Sequence, residues 1–122
     1  MVEERRATPR VRAYHPVRLS LVNSQGLIET LTKDLAVGGL RSISTAALPV
    51  ASAVRIELIL STEREPIRVR GRVAWFRTVP ESDQFDVGIA FDDLSDADKR
   101  RLSAYVERAS RHAASVEPSK AL

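Results

Sequence analysis

Two short stretches hold the residues best suited to chemistry. The first is an arginine run, Arg5-Arg6-Ala7-Thr8-Pro9-Arg10, and the second is Asp34-Leu35-Ala36-Val37-Gly38-Gly39, roughly two dozen residues later. Arginine forks bind phosphate oxygens, and also the O6/N7 edge of guanine, in a bidentate manner. A carboxylate nearby accepts from the N–H groups on the opposite edge of guanine. Glycine lets backbone come close to a flat ring. Taken together, these groups ask for a ligand that is anionic and bears guanine.

The same residues resemble the signature of PilZ domains, small bacterial β-barrels that bind cyclic di-GMP. That signature is an R-x-x-x-R element before the first strand, followed by a D/N-x-S-x-x-G turn after the second. Arg6 and Arg10 match the first element, and Arg5 extends it to R-R-x-x-x-R. Asp34 and Gly39 match the second, with Ala36 where the family has serine. The resemblance runs from about residue 4 to about residue 106.

The resemblance implies that Arg6 and Arg10 contact phosphate or guanine O6/N7 and that Arg5 adds phosphate contact or stacks on a purine. Asp34 would accept from guanine N1–H and N2–H, and Gly39 would leave room for the ring. Ala36, expected in an exposed turn, lacks the family's hydroxyl. Arg41, just after the glycines, and Trp75, on a later arginine-rich segment, are further candidates for phosphate contact and stacking. The implied function is a cyclic di-GMP receptor or adaptor that changes its surface on binding to regulate motility, pili or exopolysaccharide. It would act on a protein effector, as a monomer or weak dimer. The alternative is a PilZ interaction adaptor that binds no nucleotide.

Each feature also has a plainer reading. The arginine run can be a solvated basic arm, and Asp and Gly are common turn residues. Arg68, Arg70 and Arg72 read as the wet face of a strand, with Glu57 or Glu29 as cross-strand partners. Trp75 fits a core or barrel-rim position.

Composition bounds the rest. The chain has 122 residues, 43% hydrophobic and 29% charged, as expected for one soluble domain. It has no cysteine, which excludes disulfides and thiolate metal sites. His15 and His112 lie far apart in sequence, no metal cluster is expected, and no catalytic constellation suggests an enzyme. The N-terminus lacks the apolar core of a signal peptide, and no apolar run approaches a membrane span, so a cytoplasmic location is expected. A net charge of +3 and a pI near 9.8 admit a basic patch. Single-stranded nucleic acid is disfavoured, because aromatics make up only 5% of the chain and stacking needs them.

The elements that must position these residues are short strands followed by one helix. Period-2 alternation marks strands at about 17–21, 27–32, 40–44, 54–60, 67–75 and 85–91. Turn clusters separate them at 23–26, 48–51, 62–66 and 80–83. The Asp34 motif falls in a turn, with Gly38-Gly39 permitting positive φ. Such spacing predicts an all-β, six-stranded antiparallel barrel over 14–94, preceded by a flexible arm over 1–13. Ser95-Asp96-Ala97-Asp98 resembles a capping box and opens a helix over 95–112, whose apolar face includes Leu102, Val106 and Ala109 with Tyr105 alongside. Residues 113–122 are expected as a disordered tail.

Overall fold

The structure, a computed structural model, describes residues 10–60 and 65–120, with side chains to residue 111. The strands are β1 (Arg10–Arg12), β2 (Pro16–Leu21), β3 (Ile28–Ala36), β4 (Gly39–Ser44), β5 (Ala53–Leu58), β6 (Ile67–Thr78) and β7 (Phe85–Phe91). They form one antiparallel sheet in the order β1-β3-β2-β5-β6-β7-β4, and a further β3–β4 pairing closes six of them into a barrel. β1 is the extra strand on the outside. The helix α1 (Asp96–Lys120) follows the last strand.

Alternation builds the interior. Val17 and Leu19 from β2, Ile56 and Leu58 from β5, and Val69 and Val73 from β6 are all buried. The polar residues between them face out, as a half-buried strand requires. Leu35, Leu40, Val87 and Ile89 continue the core around the barrel. Helix α1 packs on β1 and β3 through the fully buried Leu102 and Val106. Its start is capped by Ser95, whose Oγ accepts from the Asp98 N–H at 3.1 Å. The Asp98 carboxylate takes Arg101 Nη1 at 2.8 Å.

Several boundaries differ from the sequence expectation. Arg10–Arg12 is not part of a flexible arm, because it pairs with β3 through Arg10↔Ala36, Val11↔Leu35 and Arg12↔Asp34. β1 on one edge and β4 on the other both pair with residues 34–36, so β3 is longer than expected and Asp34 and Ala36 lie in a strand rather than an exposed turn. The turn itself is at Val37-Gly38. Neither glycine there has positive φ; among the described residues the left-handed ones are Ala51 and Glu81. Helix α1 runs through Lys120, beyond the expected 112 and into the segment expected as a tail. Arg5 and Arg6 lie outside the described residues, as does most of the connection at 62–66.

Candidate functional site

The pairing registers align the site across neighbouring strands. Asp34 on β3 pairs with Arg41 on β4, Arg41 with Gly88 on β7, and Gly88 with Trp75 on β6. The next row runs Arg10, Ala36, Gly39, Ala90 and Arg72. Two strands distant in sequence, β3 and β6, thereby present one continuous outer face.

Trp75 reaches that face because of a register shift in β6 between Val73 and Trp75. Strict alternation would carry Trp75 inward after Ile67, Val69, Gly71 and Val73. The bulge instead turns it outward, where it is 37% exposed, and Phe76 becomes the half-buried residue. Its indole packs against Gly88, where any Cβ would collide with the ring. Arg77, two residues on, stacks over the indole with its guanidinium carbon 5.3 Å from the ring centroid.

Asp34 is nearly buried and bound on both oxygens. Arg10 Nη1 donates to Oδ1 at 2.5 Å, and Arg41 Nε donates to Oδ2 at 2.9 Å. A second carboxylate, Asp86 on β7, sits beside it. Lys33 Nζ donates to Asp86 Oδ1 at 3.0 Å, and Arg41 Nη1 and Arg77 Nε lie 3.9 and 3.8 Å from Oδ2. Among the described residues, four cations (Arg10, Lys33, Arg41, Arg77) thus surround two carboxylates (Asp34, Asp86), an excess of two positive charges. Below them is an open cavity of about 430 Å³, lined by Arg10, Asp34, Gly38, Arg41, Trp75 and Arg77 among others. This arrangement suits an anion that also offers a flat ring and hydrogen-bond donors.

Of the residues singled out from sequence, Arg10, Asp34, Gly39, Arg41 and Trp75 line this cavity. Ala36 lies in the adjacent row, 5% exposed, between Arg10 and Gly39. Gly39 has a structural reason of its own, since a Cβ there would collide with the Ile89 carbonyl oxygen. Gly38 is the glycine with open space, with no atom within 4 Å of an added Cβ. Arg72 pairs with Asp92 at 3.5 Å, and Arg68 with Glu57 at 3.1 Å, so the expected partner Glu57 holds while Glu29 pairs with Arg18 instead. Sequence reading missed Lys33, Arg77 and Asp86. The sole available signal was Arg77's place two residues after Trp75, which only the bulge makes meaningful. Among the described residues no group of His, Asp and Glu could hold a metal ion.

The fold and this outward-facing site define a small antiparallel barrel with a basic outer cavity, and the family follows from the sequence. The PilZ domain profile matches residues 4–108, so the chain belongs to the PilZ domain family. No curated protein sequence matches it. Among solved structures it is similar to the inhibitor of motility MotI/DgrA of Bacillus subtilis, with 17% identity and a TM-score of 0.77 over 88% of this chain and 52% of that one. It is also similar to the PilZ domain of YcgR from Escherichia coli with c-di-GMP, with 16% identity and a TM-score of 0.70 over 97% of this chain and 99% of that one. The K. pneumonia MrkH–c-di-GMP complex matches at 16% identity and a TM-score of 0.69, over 96% of this chain and 55% of that one. The chain thus spans about half the length of MotI and MrkH, and essentially all of the YcgR domain. No described helix is long and apolar enough to cross a membrane.

Proposed function

We propose that this chain is a cyclic di-GMP receptor that binds the nucleotide on the β3–β4–β7–β6 face. The observation that carries this reading is the aligned row Asp34, Arg41, Gly88 and Trp75, with Arg10 folded over one end. The ligand carries two phosphates and two guanines, and the site offers an excess of two positive charges, a carboxylate and an indole plane. Arg10 and Arg41 supply phosphate or O6/N7 contacts, and Asp34 accepts from guanine N1–H and N2–H. A purine stacks on Trp75 in place of the Arg77 guanidinium that lies over the indole, and Arg77 turns to the phosphate. Arg5 and Arg6 are assigned phosphate and stacking roles from the motif.

Ligand binding rearranges Arg10 by offering it a phosphate. Arg10 and Arg41 each occupy one Asp34 oxygen, and each oxygen keeps a second lone pair. The Arg10 side chain is 51% exposed, so its pair with Asp34 is worth about 1 kcal/mol or less. A phosphate is a better partner for Arg10, and guanine donors then replace it on Asp34. Movement of Arg10 alters the surface offered to a protein effector, through which a monomer or weak dimer in the cytoplasm would regulate motility, pili or exopolysaccharide.

Calorimetric titration with cyclic di-GMP, beside GTP and a short single-stranded oligonucleotide, tests this. Micromolar or tighter binding of cyclic di-GMP alone is expected. Absence of heat at a few hundred micromolar would favour an adaptor that binds no nucleotide.

A further inference from the structure

The opposite end of β6 carries a second basic surface that the nucleotide site does not use. Pairing registers place Arg18, Glu57 and Arg68 in one row across β2, β5 and β6, and Ser20, Arg55 and Arg70 in the next. With Glu29 of β3 opposite Arg18, the first row is neutralised. Glu57 lies 3.4 Å from Arg18 Nη1 and 3.1 Å from Arg68 Nη2, and Glu29 lies 3.1 Å from Arg18 Nε. The second row sets Arg55 directly opposite Arg70, and neither has an ion-pair partner among the described residues. Like charges directly opposite on a sheet are destabilising, and a carboxylate at either position would remove the repulsion.

The surroundings of this arginine pair are shaped and partly apolar. A cavity of about 500 Å³ runs along it, its apolar border supplied by Leu27 beside the arginines, with Asp93 also lining it. A second hollow of about 350 Å³ adjoins it, sharing Ser20 and Leu27, and is lined by Leu21, Ile28, Leu48 and Val54. Leu27 stands at the junction and is 57% exposed. No aromatic side chain lines either cavity, so successive bases would find nothing to stack on.

We infer that this groove is the docking surface for a partner protein, through a segment bearing carboxylates next to one large aliphatic side chain. The carboxylates engage the Arg55 and Arg70 forks, which are free to bind them in a bidentate way. The aliphatic side chain packs on Leu27 and enters the neighbouring hollow. The surface is independent of the nucleotide site, because Arg70 and Trp75 are separated by roughly 15 Å of strand at the usual rise per residue.

The probe is a synthetic peptide with one leucine flanked by glutamates, titrated into the full chain and followed by amide NMR shifts. Its counterpart with lysines in place of the glutamates, an oligothymidylate and phosphatidylglycerol vesicles are titrated alongside. Saturable shifts confined to residues around Leu27, Arg55 and Arg70, with the acidic peptide alone, are expected. Arg55→Glu should weaken that binding by roughly tenfold or more, since it removes one fork and repels the ligand. The same substitution should leave the melting temperature equal or higher, because it places an opposite charge across from Arg70. Leu27→Ser should weaken binding several-fold, with cyclic di-GMP affinity unchanged in both variants. Absence of peptide shifts at millimolar concentration, shifts indifferent to Arg55→Glu, or stronger binding of the oligonucleotide or the vesicles would each overturn the inference.

Discussion

Asp34 accepts two arginines, and the two are not equivalent. Arg41 is 28% exposed and held between Asp34 and Asp86, whereas Arg10 is half in solvent. Arg10 is therefore the group that can leave for a phosphate at little cost. Arg10→Ala should abolish measurable cyclic di-GMP binding by calorimetry, while Arg72→Ala, which loses only an exposed pair with Asp92, should change affinity by less than about twofold. Equal losses would mean a diffuse electrostatic patch in place of a site. Ala36 gives a sharper case. Its side chain is covered between Arg10 and Gly39, so a serine hydroxyl there would have to find a partner in the free protein. Ala36→Ser should lower apo stability by about 1 kcal/mol if the hydroxyl stays unpaired, and tighten the ligand by about the same amount through the recovered hydrogen bond. Paired melts and titrations of the two proteins separate those effects. Unchanged affinity would show that position 36 does not face the nucleotide.

At the scale of elements, periodicity revealed the strands where one face is plainly apolar. β2, β5 and β7 fall close to their expected bounds because Val17, Leu19, Ile56, Leu58, Val87 and Ile89 alternate cleanly. The motif residues Arg10, Asp34 and Gly39 were legible because their types and order are unusual in combination. What escaped depends on pairing between distant segments. β1 is three residues with a single buried position, too short for a period to show, and β3 extends through Ala36 because β1 and β4 both pair with its last residues. The β6 bulge is a register event, and without it neither Trp75's outward position nor Arg77's role can be inferred. The helix start was readable from Ser95. Docking of α1 was half readable, since Leu102 and Val106 form the stripe but His15 was not linked to it.

That missed contact makes helix docking pH-dependent. His15, just after β1, lies with its Nε2 2.6 Å from the Tyr105 hydroxyl, the rings meeting edge-on at 5.0 Å. Its Nδ1 is buried with no partner among the described residues. Burial pushes the imidazole pKa below its ordinary 6.5, and burial likewise raises the Tyr105 hydroxyl, partly offset by Arg108. A depressed histidine pKa favours the neutral ring in the folded state. Its contribution is thus present above about pH 6.5 and is lost as the pH falls below it. Melting temperature should decline from pH 7 to pH 5, and His15→Leu should remove the part of that slope that belongs to this ring. Tyr105→Phe should cost about 1 kcal/mol at pH 7 by leaving a second ring nitrogen unpaired.

Across the whole molecule, the barrel joins its two ends through β3–β4 pairing at the strands that carry Asp34 and Arg41. A ligand spanning Arg10, Asp34, Arg41 and Trp75 would therefore bridge β1, β3, β4 and β6, and its binding energy would add to the stability of the whole barrel. The chain has a single tryptophan, and it lies in the site, so intrinsic fluorescence reports occupancy without a label. Stacking of guanine on Trp75 should quench that emission saturably, with the midpoint found by calorimetry. At a ligand concentration about 100 times Kd, the folded state gains about 2.7 kcal/mol by mass action. For a domain of this size that corresponds to a rise of roughly 10 °C in melting temperature. Gly38→Ala supplies the geometric control, because an added Cβ there meets no protein atom and apo melting should be unchanged. If nucleotide packs over the β3–β4 turn, that variant shows a smaller thermal shift and a weaker quench at the same ligand concentration. An unaltered shift and quench would place the ligand away from the turn, nearer Arg77 and Asp86.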